Sequence, residues 1–214
     1  MYARMSYDGM TFCGFLGDSK FMKLKEGIEG MSAVPWECLW TIYQLGHQCF
    51  QRDGVFIECG VDRGGTARFL AGMLEGRGKK LLLFDTFSGM PPTHPEHDFH
   101  QEGDFPSEGV EKVREFVGHE DSVEFHPGVI PDSFSGLDDT KIAFAHVDCD
   151  IYSATKACCE FIYPRLDRGG MIVFDDYGRP TCQGVRIAVD AYCAENEIYP
   201  FTIPATGQAV MFKP

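Results

Sequence analysis

The chain has no apolar run approaching the roughly 18–20 residues that span a bilayer, and no apolar stretch follows its first residues to make a signal peptide. A soluble, cytoplasmic protein is therefore expected. Basic residues are scarce: 19 Lys plus Arg face 32 Asp plus Glu, a formal charge of −13. No Lys/Arg cluster reverses that balance locally, so nucleic acid and anionic membranes are disfavoured as partners. The nine cysteines include no Cys-x-x-Cys pair and their number is odd. Cys149, Cys158 and Cys159 fall inside apparent regular elements, so a disulfide framework or zinc ribbon gives way to reduced, structural thiols. Gly-x-Gly-x-x-Gly is missing too, and with it the pyrophosphate fingerprint of NAD enzymes. Internal repeats, low-complexity tracts and linkers are likewise absent.

What is present is a chain of 214 residues, long enough for one well-cored domain and short for two. Residues 1–30, rich in Gly and Met, read as an irregular arm with a short helical piece. Pro35 opens a helical pattern through Trp36, Leu39, Trp40, Tyr43 and Leu45. From Gly54 onward short apolar strands alternate with helices. The strands read as 54–60, 80–85, 122–126, 142–148 and 170–174; the helices read as 66–75, 108–117, 153–163 and 185–194. Residues 199–203 and 209–212 flank Gly207 and predict a terminal β-hairpin. The α/β alternation predicts a mostly parallel sheet with helices on both faces. Residues 1–53 are expected to pack as an arm and helices on a core of 54–214. Residues 90–107, with several prolines and little periodicity, predict a long loop that acts as a lid.

Ligands of such sheets bind beyond the carboxyl ends of the strands, and the distinctive residues follow strands here. After the first strand come Glu58-Cys59-Gly60-Val61-Asp62-Arg63-Gly64-Gly65-Thr66. These glycines permit a tight turn and a close backbone approach to a ligand, and the next helix offers free N–H groups. The second strand ends in Asp85, an acidic group suited to the ribose hydroxyls of an adenosine cofactor, or else to capping a turn. These two features leave S-adenosylmethionine and a dinucleotide both open. The fourth strand ends in Asp148-Cys149-Asp150 and the fifth in Asp175-Asp176. Carboxylates converging from adjacent strand ends repel one another unless a cation joins them. All-oxygen ligands suit Mg²⁺, Mn²⁺ or Ca²⁺ and not zinc. His94, His97 and His100 recur every three residues, but Pro91, Pro92 and Pro95 oppose the helix that would align them as ligands. His146, inside a strand, reads as a satisfied core histidine.

The sequence resembles the macrocin O-methyltransferase family from about Gly54 to its end. The resemblance is carried by Phe56-Ile-Glu-Cys-Gly-Val-Asp-Arg-Gly-Gly-Thr66, Phe84-Asp-Thr-Phe-Ser-Gly-Met-Pro91 and Val147-Asp-Cys-Asp-Ile-Tyr-Ser-Ala-Thr155. Tyr163-Pro-Arg-Leu-Asp-Arg-Gly-Gly170 and Phe174-Asp-Asp-Tyr-Gly178 add to it. It implies a Rossmann-like class I methyltransferase fold: a mostly parallel seven-stranded sheet ending in an antiparallel hairpin. It also implies S-adenosylmethionine as methyl donor, Mg²⁺ (or Mn²⁺) as metal and a natural-product sugar hydroxyl as acceptor. By motif matching, Asp148, Asp175 and Asp176 fall on the metal ligands. Glu58, Gly60, Arg63, Gly64, Gly65, Thr66 and Asp85 fall on the cofactor contacts. The sequence departs from the family at Asp62, where an aromatic residue is usual, and lacks a lid tryptophan. Ile151 stands where catechol-type enzymes carry a lysine, so the expected general base is Asp148 or Asp150. The expectation is methyl transfer to a metal-held hydroxyl of a small molecule, by a chain expected to be a homo-oligomer. An NAD(P)-dependent oxidoreductase and a non-catalytic nucleotide-binding protein are the alternatives.

Overall fold

Five short apolar runs with few charges can be buried on both faces only if helices cover both, and the chain folds accordingly. The structure, a computed structural model, describes residues 3–6, 9–12 and 14–214. Strands β1 (Ala3–Ser6) and β2 (Gly9–Phe12) pair as a small antiparallel ribbon, followed by α1 (Ser19–Glu26) and α2 (Trp36–Cys49). Then come β3 (Val55–Cys59), α3 (Gly65–Leu74), β4 (Leu81–Asp85), α4 (Val110–Val117) and β5 (Val123–Pro127). The rest is β6 (Ile142–Val147), α5 (Tyr152–Arg165), β7 (Leu166–Phe174), α6 (Gln183–Glu195), β8 (Phe201–Ile203) and β9 (Gln208–Phe212). The main sheet has seven strands in the order β5-β4-β3-β6-β7-β9-β8. The first five are parallel, and β9 and β8 close the sheet antiparallel.

Alternation along the strands builds a core on each face. Phe56 and Phe144 pack with Phe21, Leu39, Ile42 and Phe69 of α1–α3. Ile57, Ala145 and Phe174 pack with Cys158, Ile162 and Val189 of α5 and α6. Truncating a fully buried phenylalanine such as Phe56 would cost about 3–5 kcal/mol. Of the eight described cysteines, seven are buried and Cys149 is half-buried; all are free thiols. Cys13 lies outside the described residues.

The expected strands and helices from 54 to 212 are found with bounds that shift by a few residues. Two elements differ from expectation. The arm holds the β1–β2 ribbon besides its helix α1, and β7 begins at Leu166, four residues early. The pairing of β6 with β7 shifts register between Ile142 and Phe144. Such an irregularity breaks the apolar pattern that marks a strand in sequence.

Register delivers the site. β3 sits between β4 and β6, where the strand order reverses, the place such sheets bind ligands. Glu58 lies opposite His146, and Val147 opposite Phe174. Asp148 and Asp175, the next residues, therefore leave the sheet at one level.

Candidate active site

Three turns at the carboxyl ends of β3, β4 and β6 are locked to one another. Gly60 has φ 86, and a Cβ there would lie 1.9 Å from the Asp148 carbonyl oxygen. Only glycine lets the β3 turn approach β6 this closely. Asp85 Oδ2 accepts the Val61 and Asp62 N–H groups at 2.7 and 3.1 Å, while its Oδ1 accepts the Phe87 N–H at 2.7 Å. The carboxylate thus organises both turns, and it also lines a cavity of about 370 Å³ with Glu58, Gly60, Gly65 and Thr66. That volume lies in the range of small-molecule sites.

Asp148, Asp175 and Asp176 face the same cavity, each with a carboxylate oxygen within 4.8 Å of the others. Asp175 and Asp176 are buried. Arg179 stands beside them, its Nε 3.7 Å from Asp176 and its Nη2 4.0 Å from Asp175. Burial, then the charges of Asp176, Asp175 and Asp150, holds the Asp148 carboxyl well above the usual range. Burial and Asp150 push Asp176 up to about 7, and burial pushes Asp150 up to about 6. Asp176 Oδ2 is buried without a hydrogen-bond partner. An orphaned oxygen in an all-oxygen cluster of excess negative charge fits a hard divalent cation such as Mg²⁺ or Mn²⁺. Asp150 itself is held at φ 62, with the Ile151 N–H bonded to the Cys149 carbonyl at 2.7 Å. A non-glycine residue in this region stores strain, a frequent mark of functional positions.

A buried polar chain joins the two halves of the site. Glu58 and His146 are completely buried, with His146 Nδ1 3.1 Å from Glu58 Oε1. His146 Nε2 lies 3.6 Å from Asp175 Oδ1, beyond good hydrogen-bond range. Burial disfavours the imidazolium, yet Asp175 and Glu58 outweigh it and raise His146 to about 9. Burial raises Glu58, against the pull of His146. Gln208, at the start of β9, donates from Nε2 to Asp175 Oδ1 at 2.7 Å. His146 is thus a core histidine, as its place in a strand suggests, but one that bridges the turn after β3 to the carboxylates after β7. Glu58 Oε2, like Asp176 Oδ2, is a buried oxygen without a partner on the wall of the cavity.

The loop 86–109 contains neither helix nor strand and lies over this cavity. Asp98 fastens it: Oδ1 accepts the Tyr152 N–H at 2.8 Å, at the N-terminus of α5, and Oδ2 accepts the His94 N–H at 2.7 Å. A carboxylate at that helix end is favourable. His94 and His97 stack with ring centroids 4.2 Å apart and lean on Tyr152. His100, the third of the series, lines the cavity.

Residues 48–213 match the family model for macrocin O-methyltransferase (TylF). The chain belongs to the macrocin O-methyltransferase family. It is 32% identical over 181 residues to mycinamicin III 3″-O-methyltransferase of Micromonospora griseorubida, covering 76% of this chain and 70% of that protein. It is 31% identical over 144 residues to the 8-demethyl-8-(2,3-dimethoxy-alpha-L-rhamnosyl)-tetracenomycin-C 4′-O-methyltransferase of Streptomyces olivaceus. That match covers 61% of this chain and spans 55% of the relative's length. Among solved structures, the O-methyltransferase NovP superposes with a TM-score of 0.75 at 24% identity, covering 86% of this chain and 82% of NovP. The fold is that of the class I O-methyltransferases.

The family is S-adenosylmethionine-dependent, and the fold brings most of the strand-end motifs to one cavity. Glu58, Gly60, Gly65, Thr66, Asp85, Asp148, Asp150, Asp175 and Asp176 line it. Gly64 instead backs α4, where a Cβ would lie 2.8 Å from Val117. Arg63 turns outward, its Nη1 3.2 Å from the Gly30 carbonyl oxygen, and does not reach the cavity. Several wall residues carry no sequence signal. Residues 31–34 form one side, with Ser32 Oγ 3.0 Å from Thr66 Oγ1. Cys182, also on the wall, and Gln208, which is off the wall but bonded to Asp175, are equally silent in sequence, since only helix packing and strand pairing bring them in.

Proposed function

We propose that this chain transfers a methyl group from S-adenosylmethionine to a hydroxyl of a sugar on a natural-product glycoside, with Mg²⁺ or Mn²⁺ held by Asp148, Asp175 and Asp176. The observation that carries the reading is the cavity shared by the glycine turn and the carboxylate triad, with one buried oxygen orphaned on Glu58 and one on Asp176. The family and the sugar O-methyltransferases named above support the acceptor class. In this reading the Gly60–Thr66 turn, Glu58 and Asp85 hold the donor, and the side chain of Arg63 is dropped from that set. The cation would supply Lewis acidity, lowering the pKa of a hydroxyl placed against it. Asp150 is the preferred base. It is outside the triad, lines the cavity, and burial lifts its carboxyl to about 6, suited to taking a proton near neutral pH. Its carboxylate would take the acceptor hydroxyl's proton as the oxygen–methyl bond forms and the methyl–sulfur bond breaks, with S-adenosylhomocysteine as the leaving group. Glu58, His146 and Gln208 keep Asp175 in place, and the loop fastened by Asp98 excludes water.

Among the described residues no helix is long and apolar enough to cross a membrane. Mass spectrometry of ligands retained through purification tests the donor. S-Adenosylhomocysteine or S-adenosylmethionine is expected; NAD would favour the oxidoreductase alternative and overturn the proposal.

A further inference from the structure

Beside the carboxylate triad lies a second cluster with a different donor set. His100 from the loop, Asp150 after β6 and Cys182 before α6 bring one nitrogen, one oxygen and one sulfur within 4.8 Å of one another. Cys182 Sγ is 3.4 Å from Asp150 Oδ1 and 3.8 Å from His100 Nε2. Bonds of about 2.3 Å to sulfur and about 2.1 Å to nitrogen or oxygen, at tetrahedral angles, place the donors about 3.6 Å apart. The two distances to sulfur bracket that value, and the third pair, His100 and Asp150, lies within 4.8 Å. Cys182 is buried, and all three side chains line the cavity, so a fourth position would open toward it. On the far side of the imidazole, Asp104 Oδ2 lies 3.5 Å from His100 Nδ1. Carboxylates outside the coordination sphere orient metal-ligating histidines from that side.

We propose that His100, Asp150 and Cys182 form a second cation site, selective for a borderline, thiophilic ion of the Zn²⁺ class and separate from the all-oxygen triad. Soft and borderline ions prefer sulfur and imidazole, whereas Mg²⁺ prefers carboxylate and water. Binding replaces the Cys182 S–H proton, which leaves to solvent as the thiolate–metal bond forms; Asp150 and His100 bind as carboxylate and neutral imidazole. Because His100 rides on the loop and the other two ligands belong to the core, occupancy would fasten the loop over the cavity. With an ion bound, Asp150 is a ligand and not a base, so this site is filled outside turnover; it rests on the donor geometry alone.

The test is a Co²⁺ titration of the full chain in saturating Mg²⁺, read by near-ultraviolet absorption. One equivalent of Co²⁺ should produce a thiolate-to-cobalt charge-transfer band that Mg²⁺ does not suppress. Cys182→Ser should lose the band. His100→Ala, on the loop and outside the core, should keep the fold and weaken Co²⁺ binding at least tenfold, as expected for a lost ligand. Absence of the band in the wild type would overturn the proposal. So would its survival in Cys182→Ser, which would move the thiolate to Cys149.

Discussion

Replacing Asp176 by Asn should stabilise the metal-free protein at pH 8 while abolishing its response to Mg²⁺. Asp176 is 7% exposed, and its folded-state pKa rises from 3.8 to about 7, mainly through burial and then through Asp150. A carboxyl whose pKa is raised by folding binds its proton more tightly in the native state. The unfolded chain holds fewer protons between those two values, so stability falls as pH climbs through that window. Below 3.8 the group costs nothing; above about 7 the penalty is fully developed. At about 1.4 kcal/mol per pH unit, the span bounds the penalty at about 4 kcal/mol. Asp148 and Asp150 share the repulsion, so Asn should recover about 2 kcal/mol or more. For a chain of this length that is a rise in Tm of about 4 °C or more. Thermal unfolding followed by circular dichroism in EDTA at pH 8 and pH 5 measures it. The gap should shrink by more than half at pH 5, where the wild-type carboxyl retains its proton. Added Mg²⁺ should raise the wild-type Tm at pH 8 and leave the variant unmoved. Equal melting temperatures at pH 8 in EDTA, or a gap indifferent to pH, would show that the buried Asp176 charge carries no such penalty.

Other positions give independent outcomes. Asp150→Asn should lower kcat for methyl transfer by about 10²–10⁴-fold and leave S-adenosylhomocysteine affinity intact by calorimetry; near-native turnover would remove it as the base. Gly60→Ala combines the αL cost of about 1–2 kcal/mol with a Cβ that has no room beside Asp148. Its melting temperature should fall by several degrees with loss of cofactor binding, and an unchanged melt would contradict the packing. Asp98→Ala removes the carboxylate that joins the loop to α5, at a cost of about 1 kcal/mol for such a cap. Hydrogen exchange across residues 90–107 should then accelerate, and slow again when S-adenosylhomocysteine and an acceptor bind together. Exchange equal to the wild type would deny Asp98 its anchoring role.

The strands that build the site were readable because each is a short apolar run ended by glycine or a carboxylate. Burial on both faces leaves no alternation to blur the pattern, as in β6 from Ile142 to Val147. The convergence of Asp148 with Asp175 and Asp176 followed from one rule about strand ends and needed no knowledge of register. Other features depend on contacts between distant segments. Gln208 meets Asp175 only because β9 runs antiparallel to β7 with Ala209 opposite Phe174. His146 looks like any apolar-strand histidine until β3 places Glu58 beside it. Arg63 sits amid the glycine turn after β3, yet Asp62 at φ 48 lies in a turn that sends the Arg63 side chain to Gly30. The loop histidines share a period of three, but their surroundings separate them: His94 and His97 stack on Tyr152, while His100 meets Cys182 and Asp150. Asp85 caps both turns with its carboxylate, the second of the readings its strand-end position offered, and also lines the cavity.

Metal-assisted methyl transfer to a sugar hydroxyl has a direct readout in labelled product. Purified protein, stripped of metal and verified as such, is incubated with isotope-labelled S-adenosylmethionine and a panel of glycosides, cyclitols and phenols, with Mg²⁺ or with EDTA. A labelled methyl ether on a glycoside is expected in Mg²⁺ and none in EDTA. Labelled product formed equally well in EDTA would contradict the metal role assigned to Asp148, Asp175 and Asp176, and product confined to the phenols would contradict the sugar acceptor.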